Sequence, residues 1–221
     1  MAKTVTHKND LPYFGKDALL TIAPKRLFSE MIFELLSGKR PSISQEKLFE
    51  TILNISIDHG GETPSAIETI KSAKDGKTIS ESVASGILQI NDLHGGAIEP
   101  AMELLYRANR EKLTAKSIVQ EYIKQEKRIP GFGHRIYEVD PRSQLLFKMA
   151  KKEKISQTYI NIALSIEKEL KAAKGKALPV NIDGAIAAIL CAFGWDTKLG
   201  KAVFIIARTP GLCAQFLNVS K

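Results

Sequence analysis

Three of the four histidines of this 221-residue chain stand in short stretches of glycine and charged residues suited to presenting an imidazole to a ligand. His59 lies in Asp58-His59-Gly60-Gly61, His94 in Asp92-Leu93-His94-Gly95-Gly96-Ala97, and His134 in Pro130-Gly131-Phe132-Gly133-His134-Arg135. A further stretch, Asn181-Ile182-Asp183-Gly184, puts a carboxylate just ahead of an apolar segment. Imidazole is the side chain most readily tuned for proton transfer near neutral pH. Glycine beside it lets the backbone approach a ligand closely and take angles that other residues resist. Such segments, spread from position 58 to position 184, predict one site assembled from distant parts of the chain. That is the pattern of an enzyme.

The elements that must bring these segments together read as helices almost throughout. Apolar residues at Leu19, Leu20, Ala23, Leu27, Met31, Ile32, Leu35 and Leu36 follow a 3.6-residue period and predict helix over Lys16 to Ser37, closed by Gly38 and Pro41. Ser44 is a candidate cap for a helix over Gln45 to Ile57, whose C-terminal end points at His59. Thr63-Pro64 is a cap followed by proline at the first helical position, and Ser80 begins a helix ending near His94. Helices over Glu99 to Arg110 and Thr114 to Lys127 precede a loop over Arg128 to Val139. Asp140-Pro141 starts the next helix, and Tyr159 to Ala173 forms another. Asp183 is itself a candidate cap for a helix over Ala185 to Phe193. A last helix from about Leu199 is expected to break at Thr209-Pro210-Gly211. No strand pattern exceeds very short pieces, and no repeat or low-complexity linker occurs, so the fold class is all-α.

Composition bounds the function. The chain is 44% hydrophobic and 25% charged, ordinary for a globular protein. No N-terminal apolar core marks a secretory signal, and the apolar segments at Gly184 to Trp195 and Ala202 to Ala207 are too short to span a bilayer. The expectation is a cytoplasmic protein, with Cys191 and Cys213 as thiols in apolar runs. The histidines and cysteines lack ligand spacing, so no metal is implied. No Gly-x-Ser-x-Gly suggests a nucleophile elbow. The net charge of +8 is scattered, without the basic runs interleaved with aromatics that a nucleic-acid surface would carry. A small polyanionic ligand is the better use of it.

These motifs in this order, with Gly-Phe-Gly-His-Arg-Ile-Tyr followed by Asp-Pro-Arg and later by Ala-Arg-Thr-Pro-Gly, resemble the citrate synthase superfamily from about Ser29 to the C-terminus. That superfamily includes citrate synthases, 2-methylcitrate synthases and the citryl-CoA lyase modules that occur alone or at the end of ATP-citrate lyase. The resemblance implies a helical large domain, residues 1–96 and 194–221, with a smaller helical domain, 97–193, inserted in it. It implies a site in the cleft between them and a homodimer. Gly184 after the aspartate resembles the lyase module more than the synthases, while a length well below that of citrate synthases and an end soon after Arg208 depart from the full-length synthases. The expected activity is reversible cleavage of citryl-CoA to acetyl-CoA and oxaloacetate, with poor thioester hydrolysis. The alternatives are a short citrate synthase or 2-methylcitrate synthase, or a non-catalytic relative that binds CoA or a tricarboxylate.

The resemblance also implies roles. Asp183 is the base at the acyl methyl and His94 the donor at the thioester oxygen, while His134 faces the oxaloacetate carbonyl. His59, Arg142 and Arg208 bind substrate, the two arginines by the paired hydrogen bonds that a guanidinium offers a carboxylate. Ile129, Pro130, Gly131, Phe132 and Gly133, with Arg135, form the CoA-binding segment. No cofactor is held permanently, since the CoA thioester is the substrate. Each residue has a plainer alternative: Asp183 and His94 as helix-end groups, His134 held by backbone groups, His59 oriented by Asp58, Arg142 paired with Asp140, and Arg208 paired with an internal carboxylate.

Overall fold

The computed structural model describes residues 2–91, 95–134 and 137–219. It is 63% helical, with eleven α-helices among the described residues and one small sheet, which makes the fold all-α. The chain divides into two compact units, Met1–Thr51 and Ile52–Lys221.

The first unit departs from the expected long helix. It opens with an antiparallel meander of β1 (Val5–Lys8), β2 (Leu11–Phe14) and β3 (Asp17–Ala18). Asn9 and Asp10 join β1 to β2 with φ of 50° and 60°, the left-handed pair that a two-residue hairpin turn needs. Helix then forms only as α1 (Leu19–Ile22), a 3-10 turn over Ala23–Lys25 and α2 (Phe28–Ser37). Pro24 has no N–H to donate to the carbonyl four residues back, so the α pattern gives way to the 3-10 turn there, and the chain leaves helix altogether at Arg26 and Leu27, both extended. Glu34 of α2 is buried and accepts from Lys3 Nζ at 2.6 Å and Arg26 Nη2 at 2.7 Å. Phe33 meets Phe49 of α3 (Ile43–Ser56) edge to face, centroids 5.4 Å apart. Ser42 rather than Ser44 starts α3. Its Oγ accepts from Gln45 N, and Gln45 Oε1 accepts from Ser42 N in return.

The second unit holds α4 (Pro64–Lys74), α5 (Ile79–Leu88), α6 (Ile98–Arg110), α7 (Ala115–Lys124), α8 (Pro141–Lys152), α9 (Thr158–Lys174), α10 (Ile182–Ala192) and α11 (Lys198–Leu217). Their starts follow local chemistry. Thr63 caps α4, Thr78 and Glu81 form a capping box on α5, and Asp140 caps α8. Every residue from Gly184 to Cys191 is buried, so α10 is apolar on all sides and serves as a core helix. It packs on α6, α8 and α9, with α7 against α9, while α11 lies along α4, α5 and α6. The expected break in α11 does not occur. Pro210 costs one backbone bond, but buried Val203, Phe204 and Ala207 before it and Gly211 and Leu212 after it anchor both halves.

Candidate active site

Helix α11 carries Arg208 against the turn that leads to His59. Arg208 is 4% exposed, and its Nε donates to the Ser56 carbonyl at 2.9 Å. Its guanidinium lies over the Phe204 ring, 4.8 Å from the centroid. Its Nη1 is buried with no hydrogen-bond partner among the described residues. Burial pulls its pKa below the ordinary arginine value, against the opposing pull of Asp58 and Asp183. A buried guanidinium with an unused N–H is a site for an anion. The turn sits tight on the helix because Gly211 has no side chain: a Cβ there would run into the Ile57 carbonyl and lie 3.0 Å from Asp58 Cβ. Gln215 Nε2 and Gly60 N both donate to Asp58 Oδ2 at 3.2 Å. His59 is thereby presented at the surface. Partial desolvation holds its pKa below the usual imidazole value, reinforced by the positive fields of Arg142 and Arg208. At neutral pH it is an uncharged imidazole.

The second cluster forms where α8 begins. Asp140 is 1% exposed. Its Oδ1 accepts from Arg142 N and Arg142 Nε, both at 3.0 Å, and its Oδ2 from Arg142 Nη2 at 2.8 Å. Burial alone would raise the Asp140 pKa, but the hydrogen bonds and charge of Arg142 bring it below the usual aspartate value. The local pairing open to Arg142 from sequence is therefore present. It uses one edge of the guanidinium, and Nη2 also lies 3.3 Å from His134 Nε2. His134 Nδ1 accepts from Tyr137 N at 3.2 Å, and the Tyr137 ring stacks on the imidazole with centroids 4.5 Å apart. With Nδ1 accepting, that bond assigns the proton of the neutral ring to Nε2. Two N–H groups then face one place, an arrangement suited to a carbonyl or carboxylate oxygen of a ligand.

The third part brings the His134 loop onto the start of α10. Gly133 N donates to the Pro179 carbonyl at 2.7 Å, Asn181 N to the Gly131 carbonyl at 3.0 Å, and Phe132 and Val180 form an antiparallel bridge. Gly131 (φ 84°) and Gly184 touch backbone to backbone. A Cβ on Gly131 would lie 2.7 Å from Gly184 Cα, and one on Gly184 would strike the Gly131 carbonyl. Neither position admits a side chain without movement. Asp183 is not the cap of this helix. Asn181 is: its Oδ1 accepts from Gly184 N at 3.1 Å. Asp183, the second helical residue, is left half-buried with its carboxyl available. Burial raises its pKa to about 6, with Arg142 and Arg208 pulling it down and Asp140 pushing it up.

These mutual fields place His59, His134, Arg142, Asp183 and Arg208 in one electrostatic neighbourhood. His94 and Arg135 lie outside the described residues. Gly95, next to His94 in sequence, packs against the Phe204 ring that underlies Arg208. Of the remaining expected ligand residues, Ile129 is core, in a cluster with Leu104, Ile118 and Ile166, which leaves its backbone for a ligand. A depression of about 400 Å³ lined by Gly61, Ile67, Ile70, Lys71, Lys74 and Asp75 contains none of these residues. No group of three or more His, Cys, Asp or Glu that could hold a metal ion occurs among the described residues. Sequence reasoning assigned no site role to Asn181 or Tyr137. A second capping residue two positions before Asp183 was the available signal for the first, and an aromatic three residues after His134 for the second.

A family profile described as citrate synthase, C-terminal domain, matches residues 4–220. The chain is 34% identical over 203 residues to a probable ATP-citrate synthase of Caenorhabditis elegans, which covers 83% of this chain and 18% of that protein. It thus spans a small part of the length of the curated relatives it matches, 30% for an ATP-citrate synthase beta chain of Arabidopsis thaliana. Among solved structures it superposes on citryl-CoA lyase from Hydrogenobacter thermophilus with a TM-score of 0.94 and 35% identity, covering 100% of this chain and 87% of that one. ATP citrate lyase of Methanosaeta concilii in complex with (3S)-citryl-CoA matches at a TM-score of 0.89 and 26% identity, over 99% of this chain and 38% of that one.

Proposed function

The chain belongs to the citrate synthase family, and from that premise we propose that it is a citryl-CoA lyase, cleaving citryl-CoA reversibly to acetyl-CoA and oxaloacetate. The observation that carries the reading is Asp183: a carboxyl relieved of capping by Asn181, held near pH 6 by burial, with two arginine cations in its field. A base of this strength is matched to taking and returning a proton on carbon near neutral pH. Similarity over 100% of this chain and 87% of the Hydrogenobacter thermophilus lyase supports the direction of the chemistry.

In cleavage, the citryl hydroxyl passes its proton to solvent water, from which Asp183 takes up the proton it later delivers, and the bond from the hydroxyl-bearing carbon to the acyl methylene breaks. The electron pair passes to the thioester oxygen as an enolate, and protonated Asp183 returns a proton to carbon to complete the acetyl methyl. In this reading His94 donates to the thioester oxygen, and His134 with Arg142 Nη2 faces the oxygen that becomes the oxaloacetate ketone. Fixed donors of this kind stabilise charge as it develops. Arg208 and Arg142 bind the carboxylates, and His59, its pKa lowered by desolvation and by its cationic neighbours, donates to a third oxygen. The Ile129 to Gly133 loop with Arg135 receives CoA, so the thioester is a substrate and no resident cofactor is required.

The same reading assigns residues 1–96 with 194–221 to a large domain and 97–193 to a small one. The packing of α4, α5 and α11 as one group and of α6 to α10 as another supports the division within the second unit. It makes the working unit a homodimer and the location cytoplasmic. No described helix is long and apolar enough to cross a membrane. The decisive experiment supplies synthetic citryl-CoA and measures products. Acetyl-CoA and oxaloacetate should appear in equal amounts with little citrate or free CoA. Brisk thiol release from acetyl-CoA plus oxaloacetate would replace the lyase with a synthase.

A further inference from the structure

Asn181 makes four hydrogen bonds, and they divide between two elements. Toward α10, its Oδ1 accepts from Gly184 N at 3.1 Å and its carbonyl accepts from Ala185 N at 3.0 Å. Toward the loop, its N–H donates to the Gly131 carbonyl at 3.0 Å and its Nδ2 donates to the Gly133 carbonyl at 3.1 Å. The amide side chain therefore bridges the first turn of the helix that carries Asp183 and the residue immediately before His134. The backbone ties alone leave the loop's last link loose, because the Gly133 carbonyl sits on the peptide bond that leads directly into His134. Gly133 has φ 90°, and a glycine there offers the least intrinsic resistance to rotation of that peptide.

We propose that Asn181 is a positioning residue that sets His134 in register with Asp183, using its carbonyl oxygen to start α10 and its amide nitrogen to hold the Gly133 peptide. The inference rests on the lyase reading for the roles of the two groups it aligns. Only an amide does both tasks here. Serine keeps an acceptor at the cap but offers no donor that reaches the Gly133 carbonyl. Aspartate keeps the cap and sets a second oxygen against that carbonyl, which repels it. Alanine loses both.

The test compares Asn181→Ser, Asn181→Asp and Asn181→Ala with the parent in two reactions. One is citryl-CoA cleavage, which uses His134. The other is deuterium exchange of acetyl-CoA methyl protons with an oxaloacetate analogue present, which reads Asp183. A displacement of about 1 Å in a positioned group costs about 10²-fold in rate. Asn181→Ser should therefore lower kcat for cleavage about 100-fold, change KM less than about threefold, and leave methyl exchange within about threefold of the parent. Its melting temperature should stay near the parental value, whereas Asn181→Ala should melt about 2 to 4 °C lower. Asn181→Asp should lose cleavage at least as far as Asn181→Ser. A parallel fall of both reactions in Asn181→Ser, or no fall in either, would overturn the proposal. If the parent itself fails to cleave citryl-CoA, the lyase reading is lost, and the tie is then judged alone by NMR. The carbonyl carbon of Gly133, which accepts from Asn181 Nδ2, should shift upfield in Asn181→Ser while the Gly184 amide keeps its protection from exchange; an unmoved Gly133 carbonyl shift would refute the tie.

Discussion

Replacing Asp183 with asparagine should remove proton transfer at carbon and, at neutral pH, make the protein more stable. The carboxyl titrates at 3.8 in the unfolded reference and at about 6 in the folded chain. A difference of about 2 pKa units corresponds to about 3 kcal/mol between its two protonation states. The sign follows from proton binding. The folded state holds the proton more tightly, so the favourable term is fully present below pH 3.8 and is lost as pH rises through about 6. Above that, the fold carries an ionised carboxylate that burial disfavours more than Arg142 and Arg208 favour it. Asparagine cannot ionise, so the variant escapes the penalty. Allowing for a carboxyl that is half-buried, the gain at pH 8 should be about 1 to 3 kcal/mol, shrinking toward zero at pH 4. Urea unfolding of parent and variant across that range measures it. Methyl-proton exchange should fall by roughly 10² to 10⁴ in the same variant, and in the parent it should be half-maximal near pH 6, lost on the acid side. A stability difference that is flat with pH would refute the assigned basicity. Parental exchange in the variant would refute the assigned role.

Two further substitutions separate binding from folding. Arg208→Ala should weaken the dicarboxylate about 10- to 100-fold, the loss of a charge-assisted bond of roughly 1.5 to 3 kcal/mol, and leave acetyl-CoA affinity alone. Calorimetry with each ligand checks this, and equal losses for both would point to a folding defect. Asp140→Asn should cost about 3 kcal/mol at pH 7, since it takes the ionic partner from the Arg142 cation in a place with little solvent. Because the Asp140 pKa is held below its usual 3.8, the pair's contribution is present above that value and is lost as pH falls through the folded pKa. Unfolding curves of the two proteins should therefore converge in strong acid.

Much of this protein was legible in its sequence because the signals are local. Thr63 with Pro64, and Asp140 with Pro141, announce helix starts wherever they fall, and all eight buried residues of α10 come from an unbroken apolar run. The motifs around His59, His134 and Asp183, with Arg142 and Arg208, were sufficient to identify the family and to nominate a site. Other features needed the folded chain. Asn181 and Asp183 are both good caps, two positions apart, and local propensity does not choose between them; the hydrogen bonds from Asn181 to Gly131 and Gly133 do. Pro24 breaks a periodic helix while Pro210 leaves one intact, because only around Pro210 are the flanking turns locked by burial. The strands at the N-terminus are too short and exposed to show a period, and the paired left-handed residues Asn9 and Asp10 appear only in the folded chain. Above all, the basicity of Asp183 and the unused N–H of Arg208 are products of burial and of neighbours far away in sequence. Residue type supplies an ionisable group, but the dielectric around it and the charges facing it are set only when distant segments meet.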